Sequence, residues 1–323
     1  MATLSTSLTR LLNIQHPILL APMGSAAGGK LAAAVTHAGG FGLVGSGYAD
    51  EKAIRRELGE AGNASVGIGF ILWALDRNPS ALDVALDARP AAVMLSFGDP
   101  TPYTGKIKAA GSKIICQVQT LEQARQAAGS GADIIIAQGR DAGGHSGMTR
   151  GTIGLVPAVV DAVGPSIPVV AAGGIADGRG LAAALSLGAA GVSMGTRFTA
   201  TRESLWDQAM KEKAVASGGD DTAQTRVFDI VRGAAWPAIY PGRALRNEFF
   251  DRWHGREDTL AGQQKQVEAT YLASDAGDFG QRVVWTGEGV DLVRDIPSAR
   301  DVIQRTVDQA AEVLRAGAAL VRN

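Results

Sequence analysis

Through the first two hundred residues the hydrophobic pattern repeats one form: a short apolar run rich in β-branched residues, then an Ala-rich stretch of mixed polarity. Apolar runs with few polar interruptions predict strands buried on both faces. They fall at Ile18 to Ala21, Phe41 to Gly45, Val66 to Phe70 and Ala92 to Ser96, then at Lys113 to Val118, Asp133 to Ala137, Val169 to Ala172 and Gly191 to Met194. Helices are predicted between them. Lys30 to His37 stops at Gly39-Gly40, and Glu122 to Ala128 is preceded by Thr120 with Gln123 three residues on, a capping box. Gly180 to Leu187 follows Asp177 as N-cap and ends at Gly188. Strand–helix alternation implies parallel strands joined by right-handed crossovers. Eight such units in succession fit a closed α/β barrel, the TIM (β/α)8 fold, better than an open sheet.

The texture changes after Phe198. Ten of the seventeen aromatic residues lie between Trp206 and Trp285, and the β-branched runs disappear. A C-terminal helical, aromatic-rich appendage is predicted, with its own small core and with some of its rings free to close over the barrel mouth. From Ser298 to Gly317 an apolar stripe at Ile303, Val307, Ala310 and Leu314 predicts an amphipathic helix packing back on the barrel. The division expected is residues 1–215 for the barrel, 216–292 for the appendage or lid, and 293–323 for the returning helix.

Composition narrows the function classes. A formal net charge of −1 over 323 residues offers no electrostatic footprint for nucleic acid or an anionic membrane. Cys116 is the single cysteine, which excludes an internal disulfide and a cysteine-built metal site and suits a reducing cytosol. Met1 to Arg10 is polar, without the apolar core of a signal peptide, and no apolar run approaches the roughly 20 residues of a membrane helix. A cytoplasmic protein is expected. No HExxH or similar cluster suggests a metal site.

The stretch Ile134 to Gly147 carries the strongest chemical signal. It begins as a buried strand and breaks into a loop in which glycines flank His145 on both sides. A histidine after a parallel strand's C-terminal end sits where α/β enzymes place their chemistry, and glycine neighbours let a flat ligand approach the backbone. Asp141, in the same loop, is a candidate to orient the ring or simply a solvated carboxylate. Two further strand ends, Ala171 to Gly178 and Val192 to Phe198, each bring glycines to the start of a helical segment. By strand count they are the seventh and eighth, where barrels commonly hold phosphate on free backbone N–H groups. Gly174 and Gly195 leave room for phosphate oxygens, and the Thr196 hydroxyl is a further donor.

Other signals carry less. Gly40 to Gly45 matches G-x-G-x-x-G but lies within a strand, so it does not predict a dinucleotide site. Cys116 alternates against Gln117 and is expected to face the helices. His16 precedes the first strand, His37 closes a helix, and His254 sits in the aromatic segment beside Trp253.

Taken together, Ala21-Pro22-Met23, Asp141 to His145, Ala172 to Gly178 and Gly195-Thr196-Arg197-Phe198 resemble the nitronate monooxygenase family, formerly 2-nitropropane dioxygenase, to which FMN-dependent enoyl-ACP reductases are close. The likeness runs from about Pro17 to Glu203. It implies an FMN-holding barrel with the cofactor phosphate at Gly174, Gly195 and Thr196. Pro22, Met23, Gln138 and Gly143 are then expected along the flavin, with Ala21, Gly69, Gln117, Gly144, Ala172 and Gly173 completing the site. It implies also that His145 faces the substrate and acts as catalytic base. The implied activity is oxidation of alkyl nitronates, and of nitroalkanes, by O2 to a carbonyl compound and nitrite. The chain departs from the family at Gly69, where relatives often carry Asn, and at Gln117, where many carry Lys. The alternatives are an NAD(P)H-dependent FMN reductase of enoyl thioesters or quinones, and a non-catalytic flavin- or phosphate-binding barrel. A homodimer is left open.

Overall fold

The computed structural model describes residues 2–321; Met1, Arg322 and Asn323, the outermost ends of the segments 1–215 and 293–323, lie outside the described residues. Eight parallel strands form the barrel: β1 (Ile18–Leu20), β2 (Leu43–Gly45), β3 (Gly67–Ile71), β4 (Ala92–Ser96), β5 (Lys113–Val118), β6 (Ile134–Gln138), β8 (Val169–Ala172) and β9 (Gly191–Met194). A two-residue strand, β7 (Gly144–His145), lies outside it. The pairing runs in chain order from β2 round to β9, β9 pairs with β1, and a Leu19–Phe41 bridge joins β1 to the β2 side. The barrel is therefore closed, and strands walled on both faces explain the near-unbroken apolar runs.

Alternation along each strand divides the core in two. One set, including Leu19, Leu43, Met94, Ile115, Ile136 and Val170, fills the barrel interior, and Leu8 of the helix Ser7–Leu12 joins it. The other set, including Ile18, Val44, Ile68, Val93, Ile114 and Ile135, meets the surrounding helices. Cys116 belongs to the outer set. Its burial pushes the thiol pKa up to about 12, so it stays protonated and inert. The Thr120–Gln123 capping box and the Asp177 N-cap form as the sequence predicts.

The returning helix is Ala299–Ala318, with Ile303, Val307 and Ala310 buried along one stripe. It packs against the helices Gly178–Ser186 and Gly29–His37, which closes the helical ring between the seventh and first barrel helices. Everything between the short helix Thr196–Thr199 and residue 298 is thus inserted ahead of the barrel's eighth helix. The insertion has its own core of Phe228, Phe249, Phe250, Trp253, Leu260 and Tyr271. It also contains two strands that the sequence does not announce, β10 (Thr222–Thr225) and β11 (Gly242–Leu245). These pair antiparallel, and β11 pairs in turn with β7, so that Gly242 lies opposite His145. No described helix is long and apolar enough to cross a membrane.

Candidate active site

The C-terminal ends of the barrel strands open into a cavity of about 420 Å³. His145 and the thirteen residues expected along the cofactor all line it. Ala21, Pro22 and Met23 follow β1, Gly69 lies on β3, and Gln117 and Gln138 lie on β5 and β6. Gly143, Gly144 and His145 come from the loop after β6; Ala172, Gly173 and Gly174 end β8; Gly195 and Thr196 end β9.

Gly69 has a local reason. A Cβ there would overlap the Pro22 ring, 2.5 Å from its Cβ, so the missing side chain makes room for proline. The amide of Gln117 donates to Gln138 Oε1 (3.1 Å), as does that of Gln119 (2.8 Å), and Gln138 Nε2 donates to the carbonyl of His145 (3.0 Å). The three amides thereby tie the loop carrying His145 to the strand ends.

The end formed by β8 and β9 is built from backbone. Gly173 and Gly174 have φ of 111° and 68°, a region that glycine enters without strain. The N–H groups of Gly174, Gly195 and Thr196 donate to no acceptor among the described residues. The Thr196 hydroxyl accepts from Gly287 N (3.0 Å) and keeps its own proton to donate. Ser193 Oγ, buried in the cavity wall, has no partner among the described residues. Unpaired donors on a glycine cradle suit a phosphate or another oxyanion.

His145 lines the same cavity. Its Nε2 lies 2.9 Å from Asp229 Oδ2, and the two side chains are 10% and 4% exposed. The imidazole stacks on Trp236, with centroids 3.5 Å apart and planes 4° apart, and Trp285 leans against it at 5.1 Å. Burial pushes its pKa below the ordinary 6.5, outweighing the hydrogen bond and charge of Asp229, which raise it; Arg232 lowers it further. The ring is consequently neutral at pH 7. Its Nε2–H donates to the carboxylate, which leaves the lone pair on Nδ1, where no described residue is bonded. Arg232 holds the second oxygen: Nη2 donates to Asp229 Oδ1 (3.1 Å), Nε donates to Phe228 O (2.8 Å), and the guanidinium lies over Trp285.

The carboxylate that orients His145 is therefore Asp229, not Asp141. Asp141 instead accepts from the N–H of Thr152 (2.7 Å), the first residue of the helix Thr152–Val163. Of the other histidines, His16 is buried near Gly39, His37 is exposed at its helix end, and His254 stacks on Phe250; none lines the cavity. Sequence reasoning missed Asp229, Arg232, Trp236 and Trp285. A lone Asp inside Val227-Phe228-Asp229-Ile230-Val231 is the signal for the first, since a carboxylate in an apolar helix needs a partner.

Comparison with known proteins shows the family. A family model described as nitronate monooxygenase matches residues 5–67 and 73–309. A nitronate monooxygenase of Neurospora crassa is 33% identical, over 93% of this chain and 91% of its own. A (3aS,4S,5R,7aS)-5-hydroxy-7a-methyl-1-oxo-octahydro-1H-indene-4-carboxyl-CoA dehydrogenase of Mycobacterium tuberculosis is also 33% identical, over 98% and 99%. The solved structure of FabK from Thermotoga maritima superposes with a TM-score of 0.85 at 33% identity, covering 99% of this chain and 100% of that one. The chain is an oxidoreductase that belongs to the nitronate monooxygenase family.

Proposed function

We propose that the protein binds FMN in this cavity and oxidises alkyl nitronates with O2, giving a carbonyl compound and nitrite, with neutral nitroalkanes deprotonated first by His145. The observation that carries the reading is a buried, neutral imidazole, clamped at Nε2 by Asp229, in the same cavity as a glycine cradle with unpaired N–H donors. Gly174, Gly195 and Thr196 would hold the phosphate, while Pro22, Met23, Gln138 and Gly143 would flank the ring system. When bound, FMN supplies the electron acceptor for the nitronate and passes electrons on to O2.

The protein's own part is acid–base and positional. His145 Nδ1 takes the α-proton of a neutral nitroalkane, and the Asp229 carboxylate stabilises the imidazolium that results. Trp236 and Trp285 fix the ring plane and keep water from its faces. A nitronate already lacks that proton and bypasses the step. His145→Ala should therefore abolish turnover of neutral nitroalkanes while retaining flavin and much of the nitronate rate; unchanged nitroalkane turnover would remove His145 from the reaction. A reductase reading has one observation in its favour, the equal identity to the CoA-ester dehydrogenase. Anaerobic bleaching of the flavin by NADH or NADPH would favour it, and bleaching by a nitronate alone would favour the monooxygenase.

A further inference from the structure

Among the described residues, every side chain lining the cavity is formally neutral except Arg232, with His145 the one other titratable base; no described Asp, Glu or Lys lines it. Arg232 sits at the C-terminal end of the helix Val227–Val231, one turn beyond Asp229. Two of its three nitrogens are fixed, Nε by the Phe228 carbonyl and Nη2 by Asp229, and Trp285 supports its plane. Nη1 has no partner among the described residues, and the side chain is 28% exposed. A guanidinium held on two edges and open on the third is a fixed donor that loses little entropy on taking a ligand.

The charge arrangement gives that donor a direction. Asp229 is 4% exposed and does not line the cavity, so an anion entering the cavity meets the Arg232 cation and not the carboxylate behind it. Arg232, Asp229 and a neutral His145 together sum to zero. The trio therefore holds no standing negative charge against an incoming anion, and becomes cationic once His145 has accepted a proton. Gln117 and Gln138, which also line the cavity, carry no charge and cannot take the role.

We infer that Arg232 is the residue by which this cavity selects small planar anions, the nitronate or carboxylate class, over neutral molecules of the same shape. The inference deepens the proposed function and rests on it only for the identity of the natural anion. Trp285 lies against the guanidinium and Trp236 against the neighbouring His145 ring, so the preferred ligand pairs a planar oxyanion head with a short apolar body.

The test is calorimetric titration of the purified, flavin-loaded protein with isobutyrate and with isobutyramide, one molecular shape with and without charge. The wild type is expected to prefer isobutyrate. Arg232→Met should weaken isobutyrate by about 10- to 150-fold, the scale of one charge-assisted hydrogen bond, while isobutyramide shifts by less than about threefold. Arg232→Lys, which keeps the charge and loses the fork, should restore part of the preference. A wild type without preference, equal loss for both probes, or loss of flavin together with anion binding would each overturn the assignment. Turnover is not involved, so an Arg232-dependent preference in a protein that does not oxidise nitronates would uphold the anion site and reject the monooxygenase reading. Nitronate oxidation with no Arg232-dependent preference would do the reverse.

Discussion

Asp229→Asn is the sharpest probe of the base. The two oxygens of Asp229 serve different partners: Oδ2 faces His145 Nε2 at 2.9 Å and Oδ1 faces Arg232 Nη2 at 3.1 Å. Arginine can only donate, so in the variant the amide oxygen must turn to Arg232 and the NH2 group to His145. Nε2 is then forced to accept, and the ring proton moves to Nδ1, the atom that must take the substrate proton. The variant thus keeps the shape of the site and reverses the tautomer. It also loses the charge that stabilises imidazolium. A charge-assisted hydrogen bond is worth about 1.5–3 kcal/mol, so kcat/KM for a neutral nitroalkane should fall about 10- to 150-fold. The assay compares 2-nitropropane, added neutral, with its pre-formed nitronate, which needs no base. Loss confined to the neutral substrate supports the reasoning. Equal loss on both would mean that Asp229 only holds the fold together, and no loss would mean that His145 is not the base.

Three further outcomes follow from the same geometry. Because burial lowers the His145 pKa below 6.5, kcat/KM for neutral nitroalkanes should be lost as pH falls, with its midpoint below 6.5; a midpoint above 7 would contradict the neutral-base assignment. Gly195→Leu places a branched side chain where a Cβ alone already lies 3.3 Å from Met23 Sδ, and should reduce the 450 nm flavin absorbance per protein, whereas full flavin content would refute the phosphate position. Gly69→Ala drives a methyl into the Pro22 ring and should cost about 1–3 kcal/mol in urea unfolding, a test of whether Gly69 is a packing requirement.

The barrel was legible because its strands are buried on both faces, so hydrophobic runs and strands coincide almost residue for residue. The helix caps were legible because a capping box is local. The cavity wall was legible because a glycine-bearing strand end leaves a mark in sequence whether or not its ligand is known. The insertion was harder. Thr222-Ala223-Gln224-Thr225 and Gly242-Arg243-Ala244-Leu245 have no apolar β-branched run, because they form a small satellite sheet and not a doubly covered layer. The base's partner was harder still, since Asp229 lies 84 residues from His145 and no periodicity links them. Asp141 was nearer in sequence, but the unpaired amide at the start of the helix Thr152–Val163 takes its carboxylate.

The division of labour between barrel and insertion follows from that sheet. The barrel supplies His145 on a glycine-flanked loop, which by itself would leave the ring free to rotate. Pairing of β7 with β11 fixes the backbone of that loop, and β11 carries β10, whose end runs almost directly into the helix bearing Asp229 and Arg232. Gly242, opposite His145, has no side chain because a Cβ would collide with Trp285, and Trp285 is the ring that supports both His145 and Arg232. A three-stranded ladder of backbone hydrogen bonds therefore sets the spacing between the base, its carboxylate and the cation, and a rigid ladder does this better than a flexible lid could. Changes in the insertion should alter substrate preference and basicity, while changes at the β8 and β9 ends should alter cofactor retention. Gly287 of the insertion also reaches the β9 end, through its N–H on Thr196 Oγ1, so the separation by mutation holds for changes at β10, β11 and the helix Val227–Val231.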